Sequence, residues 1–262
     1  MNESWRLLDL GMIDPYYAQS VKEVLLKAIK KSLIPSTLCL CVRRKFVFLG
    51  RRTNLKRRVN LEYCRKDGIP IIRDFIGGDG ASVLDGDVLQ YNLVSGDPTL
   101  NNLTLMKCII ESLRTMGLDS EVRAAAGSND IVIKNQKISG NIFAKINGFT
   151  VFGGSLITDF NYDFCEDALL PSPDKFAGKE AKTHSEWVTT IRTQLGRKIT
   201  HKEVVSALKE GFETVLQVKF EVANSFTDAE LQIIEGLKEK YRSEEWTKYR
   251  RWSPVKEYWR PK

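Results

Sequence analysis

Apolar residues recur along this chain in two rhythms. Short runs that alternate with period two, or are apolar throughout, occur at 5–10, 36–43, 45–49, 69–73, 88–94, 121–126 and 149–157 and read as strands. Longer runs at 15–31, 102–117, 200–215 and 227–240 carry helical spacing. Local punctuation agrees with both. Asp14-Pro15 supplies an N-cap and a first-turn proline, and Gly68 and Gly117 close helices. Thr200-His201-Lys202-Glu203 and Thr227-Asp228-Ala229-Glu230 are capping boxes. Ile131/Ile133 and Ile138/Ile142 flank Asn135-Gln136, which makes two short strands and a tight turn. Asn147-Gly148 suits a primed turn into the strand at 149–157. A short helix is expected around 60–67, and the chain beyond 176 is expected to be mostly helical. The elements predict one α/β (α+β) domain over 1–262 with a mixed, largely antiparallel sheet flanked by helices. The stretch 177–186 is the one candidate joint, with 180–262 as a candidate helical subdomain.

Composition narrows the function. The chain has 262 residues, 28% charged and 42% apolar, as in ordinary globular proteins. Its net charge of +7 suits a polyanionic ligand such as a nucleoside triphosphate, or an acidic protein. Nucleic acid is not expected, for there is no arginine-rich tail, zinc-finger spacing or aromatic RNA-binding signature. A membrane span is not expected either, since no apolar run reaches about 18 residues, and no secretory leader is seen. Five cysteines without a CxxC pair read as free thiols in a reducing cytoplasm. Cys39 and Cys41, two apart, share one strand face. Two histidines, His184 and His201, leave little scope for a Ser-His-Asp triad or a His-ligated zinc.

Candidate chemistry gathers in two segments. Lys137 opens the second strand of the 131–142 hairpin, a rigid place from which to hold an ammonium. Asn129-Asp130-Ile131 followed by Lys137-Ile138-Ser139-Gly140 resembles the catalytic lysine motif of lipoate–protein ligases and their octanoyltransferase and biotin-ligase relatives. The second segment is Ile69-Pro70-Ile71-Ile72-Arg73 leading to Gly77-Gly78-Asp79-Gly80. It resembles the strand, arginine pair and triple-glycine loop of lipoate ligases. Glycines let backbone N–H groups close on an anion or carbonyl where no Cβ intrudes. Two weaker likenesses follow, Pro171-Ser172-Pro173-Asp174-Lys175-Phe176 and the Glu-Trp element at 245–246. In all, the resemblance spans roughly 35–250.

The departures from the family pattern are specific. Asp74 stands where a second arginine is usual, and Gly153 replaces the histidine of a His-Gly strand start. Read without a gap, Asp79 replaces the third glycine and Val83-Leu84 a His-Asp pair, while Gly86 matches. One inserted residue at Asp79 instead restores Gly80 and Asp85 but loses Gly86. Both registers stay open. Either way an extra carboxylate lies near the expected phosphate, which is unfavourable without a cation to neutralise it.

The resemblance implies a biotin-ligase and class II aminoacyl-tRNA synthetase-like core and ATP-dependent formation of lipoyl-AMP, followed by transfer to a lysine of a lipoyl domain. Such acceptors include the glycine-cleavage H protein and 2-oxoacid dehydrogenase acyltransferase subunits. It implies Lys137 as the catalytic cation, Arg73, Gly77, Gly78, Gly80 and Gly140 around the acyl-adenylate, and Asn129 and Asp130 at the nucleotide, with Asp130 as a ligand for Mg2+. Single-chain ligases carry a further small domain, and this chain ends soon after 246. A separate small accessory subunit is therefore expected, with Trp252, Tyr258 and Trp259 as contacts. The octanoyl or lipoyl transferase reading needs a cysteine thioester. Its relatives place that thiol just before the Asn-Asp-Ile position, here Ala126, Gly127 and Ser128, or after the third strand, where Cys165 is the one thiol and Ser172 follows the proline. Biotin ligation lacks its Gly-Arg-Gly-Arg loop. A non-catalytic lipoyl-domain binder is the remaining alternative.

Overall fold

The computed structural model describes residues 4–86, 88–118, 121–170 and 181–251. The first half runs β1 (Ser4–Ile13), α1 (Pro15–Ile29), β2 (Thr37–Arg43), β3 (Phe46–Leu49), α2 (Leu55–Arg58), α3 (Leu61–Lys66), β4 (Ile71–Arg73), β5 (Ala81–Leu84), β6 (Val88–Ser95) and α4 (Asn102–Thr115). The hairpin region holds β7 (Arg123–Ala124), β8 (Asp130–Ile133), β9 (Gln136–Ile146) and β10 (Phe149–Ile157), followed by α5 (Tyr162–Ala168). Next come α6 (His184–Trp187), α7 (Ile191–Leu195), α8 (His201–Leu216), β11 (Lys219–Ala223), α9 (Asp228–Arg242) and α10 (Glu244–Tyr249).

The main sheet has eight strands in the order β11-β1-β2-β6-β10-β9-β8-β7. The pairs β11–β1 and β1–β2 are parallel, and the other five are antiparallel. This is the mixed, largely antiparallel architecture expected. Strand alternation divides the core in two. Leu38, Leu40, Tyr91, Leu93 and Phe152 point to one face, packed with Leu105, Ile109, Leu208 and Phe212 of α4 and α8. Cys39, Val94 and Val151 point to the other, packed with Val21, Leu25 and Leu237 of α1 and α9. Cys39 and Cys41 are both fully buried on β2.

A second sheet, β4-β3-β5, was not foreseen as a unit, and β5 was not foreseen at all. It carries its own apolar cluster of Val47, Leu49, Val83, Cys64, Phe164 and Leu169. The segment from 181 to 251 contributes β11 to the edge of the main sheet, packs α8 on α4 and α9 on α1, and docks α10 at β4. The expected strand at 121–126 is reduced to Arg123–Ala124. The Pro171–Phe176 element and the tail aromatics Trp252, Tyr258 and Trp259 lie outside the described residues.

Candidate active site

The position of Lys137 depends on two backbone features. The turn before it falls at Lys134-Asn135, with φ of 48° and 63°, one residue earlier than the Asn135-Gln136 expected. Then the β8–β9 register slips: Ile131 faces Ser139 but Val132 faces Lys137. Ile138 is thus the extra residue of a β-bulge, a device that re-aims side chains. Three residues apart on a regular strand, Lys137 and Gly140 would point to opposite faces. With the bulge both face the same side. The Lys137 side chain then lies across Gly140, where a Cβ would come 2.8 Å from its Nζ. The ammonium meets Asp130 Oδ1 at 2.7 Å, and both side chains remain about a quarter exposed, at 25% and 21%. From behind, the Lys137 carbonyl accepts from Thr189 N at 2.9 Å.

Asn129 turns its groups onto the scaffold. Its Oδ1 accepts from Asn102 Nδ2 at the start of α4, at 2.9 Å. Its carbonyl accepts from Asn141 N at 3.1 Å and Asn141 Nδ2 at 2.8 Å. Beneath, the buried Tyr91 hydroxyl bonds Ser139 Oγ at 2.8 Å and donates to Asn141 Oδ1 at 2.5 Å. Burial pushes the Tyr91 phenol above its ordinary range, so it remains a neutral donor.

The glycine segment sits over Ile142. Gly77 takes φ of +100°, a conformation open mainly to glycine, and a Cβ there would lie 3.1 Å from Ile142 Cδ1. The Gly78 carbonyl accepts from Arg52 N at 3.2 Å and the Gly80 carbonyl from Gly50 N at 2.8 Å. Gly50 allows this approach, because a Cβ on it would fall 2.4 Å from Gly78 O. Arg73 does not join this cluster. Its guanidinium donates to the carbonyls of Gly50, Thr53 and, through Nε, Thr247, at 2.9, 2.9 and 2.8 Å. It braces the loop at 50–53 and the start of the C-terminal tail from a depression beyond the glycines. Burial, with Arg250 and Arg51 nearby, brings its pKa down to about 10.

Asp74, the unexpected carboxylate, is fully buried and paired with Lys22 of α1. Its other oxygen accepts from Ile76 N at 3.3 Å, which anchors the entry to the glycines. The charge of Asp74 is therefore neutralised inside the protein, whereas Asp79 is exposed. Burial lowers the Lys22 pKa, with Asp74 acting against that shift.

A cleft of about 220 Å³ lies between the main and small sheets; Lys22, Gly80, Asp130, Lys137 and Gly140 line it, whereas Arg73, Asp74, Gly77, Gly78 and Asn129 are not among its lining residues. Asp130, Lys137 and Gly140 line one end, and Lys22, Arg43, Gln90 and Asn92 the other. Between them stand Gly80, Val83, Leu84, Val88, Ile142 and Ile157. In the register of the sheet, β8 and β6 are three strands apart, roughly 14 Å at the usual spacing. Of the open loop registers, Val83 and Leu84 line the cleft, while Asp85 accepts from Gly86 N at 2.7 Å. His184 and Trp187 also line the cleft and were missed. The capping box Thr183-His184-Ser185-Glu186 was the sequence signal for their short helix. All five cysteines are buried, and Cys165 alone is among the lining residues. Among the described residues no group of three or more His, Cys, Asp or Glu side chains could hold a metal, and no helix is long and apolar enough to cross a membrane.

Known proteins share this fold. The model of the lipoyl protein ligase A/B catalytic domain matches residues 14–213. The octanoyltransferase LipM of Staphylococcus aureus is 22% identical, covering 94% of this chain and 99% of its own. The lipoate–protein ligase LplJ of Bacillus subtilis is 27% identical over 78% of this chain, which spans only 62% of that ligase. Among solved structures, a bi-partite lipoate–protein ligase from Thermoplasma acidophilum superposes with a TM-score of 0.81 at 24% identity, covering 96% of this chain and 99% of the other.

Proposed function

Since this chain belongs to the lipoyl protein ligase A/B catalytic-domain family, we propose that it is an ATP-dependent lipoate–protein ligase. The observation that carries the reading is the Lys137–Asp130 pair, held at 2.7 Å across Gly140 at one end of a largely apolar cleft. A lipoate carboxylate at Lys137 would attack the α-phosphate of ATP, releasing pyrophosphate and leaving lipoyl-AMP. The amine of an acceptor lysine would then attack the acyl carbon and release AMP. Neither half needs a protein nucleophile. The site's task is to place a fixed positive charge beside oxygens that gain charge in the transition state. Lys137 can leave Asp130 for such an oxygen because both are partly solvated. Asp130 is the carboxylate at this end of the cleft that would hold the nucleotide's Mg2+. Bound there, it would offset phosphate charge. Gly77, Gly78 and Gly80 would face the acyl-adenylate with their backbone.

The acceptor would be a lipoyl-domain protein, and a separate small subunit would complete the ligase; the Thermoplasma acidophilum ligase of similar fold is bi-partite. The test is the mass shift on a lipoyl domain with lipoate, measured with and without ATP. A shift that needs ATP supports the ligase. A second reading has its own support: LipM octanoyltransferases align over nearly their full length, and Cys165 lines the cleft. Under that reading an octanoyl thioester on this chain, seen by intact mass and lost in Cys165→Ser, would form from an acylated carrier without ATP. The burial of Cys165 at 2% exposure, and the absence of a thiol at Ala126, Gly127 and Ser128, favour the ligase.

A further inference from the structure

The cleft's second end is unlike an apolar tunnel. Arg43 is 2% exposed, and its guanidinium donates to Gln19 Oε1 at 2.7 Å and Ala18 O at 3.2 Å, both neutral. Its Nε has no hydrogen-bond partner. Asn92, also 2% exposed and lining the cleft, has an unpartnered Nδ2. A buried donor without a partner is costly, so native proteins seldom keep one without a reason. Both residues line the same cleft as Lys22, whose ammonium is shared with Asp74.

The positions where this sequence departs from the lipoate-ligase pattern converge here. Asp74, in place of arginine, holds Lys22. Gly153, in place of histidine, leaves room that the Lys22 stem and Asn92 occupy: a Cβ there would lie 3.1 Å from Lys22 Cδ and 3.3 Å from Asn92 Oδ1. Val83 and Leu84, in the ungapped register the replacements for a His-Asp pair, form part of the wall.

We propose that Lys22, Arg43 and Asn92 form a hydrogen-bond-donating subsite for the distal end of the acyl chain, selecting chains that end in an acceptor atom over plain hydrocarbon chains. The proposal rests on the reading of the cleft as an acyl site with the carboxylate at Lys137. Asn92 on β6 stands two strands from β9, which carries Lys137, and the Lys22 stem lies over Gly153 of the intervening β10. A methyl terminus would leave Arg43 Nε and Asn92 Nδ2 unpaired and exclude water from them. A hydroxyl oxygen would accept from Asn92 Nδ2, and the polarisable sulfurs of a dithiolane would do so more weakly.

The experiment measures Kd by calorimetry on the full chain with octanoate, ω-hydroxyoctanoate and lipoate. Octanoate and its ω-hydroxy analogue differ by one terminal oxygen. The wild type should bind the ω-hydroxy acid about tenfold more tightly, the worth of one net hydrogen bond. In Asn92→Leu the order should invert, while the unfolding temperature stays at or above that of the wild type because an unpaired amide has been removed. Should the leucine variant not fold, Asn92→Ala carries the same comparison. Equal affinity of the two acids in the wild type, or a preference that survives the substitution, overturns the subsite alone. Failure of all three acids to bind overturns it together with the acyl-site reading beneath it.

Discussion

Two lysine–aspartate pairs flank the same cleft, and they differ in solvent. Lys137 and Asp130 are 25% and 21% exposed and sit on neighbouring strands. Lys22 and Asp74 are 6% and 0% exposed and join a helix to the loop after β4. A partly exposed pair contributes little net stability, since water competes for both charges. That weakness suits a working cation, which exchanges Asp130 for a ligand oxygen at small cost. The buried pair cannot exchange so easily. Its two ions have lost most of their hydration, and separating them would leave each uncompensated. One arrangement is suited to reacting, and the other to fixing shape and charge.

The largest effect that separates them is on stability. Lys22→Ala should cost about 3–5 kcal/mol, because Asp74 remains buried without its cation. Lys22→Met combined with Asp74→Leu should recover most of that loss, since similar-sized apolar groups replace an ion pair well. Denaturant midpoints measure both. A single-variant cost below about 1 kcal/mol would mean that the pair is solvated in solution, and the contrast would fail.

Lys137→Ala reverses the pattern. Its stability change should stay within about 0.5 kcal/mol, as for a surface substitution. Lipoate-dependent ATP–pyrophosphate exchange should fall by about 10²–10³-fold or more, the usual loss when one charge-stabilising group is removed. Near-normal exchange would show that Lys137 is a strand lysine and no more.

The contrast also marks what the sequence could tell. Local rules worked where both partners are near in sequence. The Asp14-Pro15 helix start, the capping boxes at Thr200 and Thr227 and the turn at Asn147-Gly148 all form as read. The bulge at Ile138 was not legible, because alternation of Ile138 with Ile142 gives no sign of an extra residue. The Lys22–Asp74 pair is 52 residues apart and needed the fold to bring it together. The strand β11 was not foreseen, although Phe220 and Val222 alternate with charged residues: it lies between the helices read at 200–215 and 227–240, and its partner β1 is at the far end of the chain.

A third pair tests the pH side of the argument. Glu23 accepts from Lys240 Nζ at 2.6 Å and from the Tyr241 hydroxyl at 2.7 Å, joining α1 to α9. Burial would raise the Glu23 pKa, but Lys240, Lys27 and Tyr241 together bring it below its ordinary value. The unfolded chain then takes up the proton more readily than the folded one. The stability from this pair is present above the ordinary glutamate value of 4.5. It is lost as pH falls through the lower folded value. Glu23→Gln should flatten that acid limb while leaving the pH response of lipoate activation unchanged. An acid limb identical to that of the wild type would show that other carboxylates set it.

The finest comparison uses one added methyl group beside each pair. At Gly140 a Cβ would lie 2.8 Å from Nζ and 2.9 Å from Cε of Lys137, the far end of a flexible side chain. The lysine can swing aside, so Gly140→Ala should fold nearly as well as wild type. The displaced ammonium should nevertheless slow adenylation by about ten- to a hundredfold, as misplacement of a reacting group by an ångström or so does. At Gly153 the neighbour is the Lys22 stem at 3.1 Å, and that lysine is held at its tip by Asp74. It has nowhere to go. Gly153→Ala should therefore cost about 1 kcal/mol of stability through overpacking, with a smaller effect on adenylation than Gly140→Ala, because the reacting end of the cleft is untouched. Unfolding midpoints and ATP–pyrophosphate exchange on the two alanine variants decide it: if Gly140→Ala loses the stability and Gly153→Ala the exchange rate, the roles assigned to the two pairs are reversed.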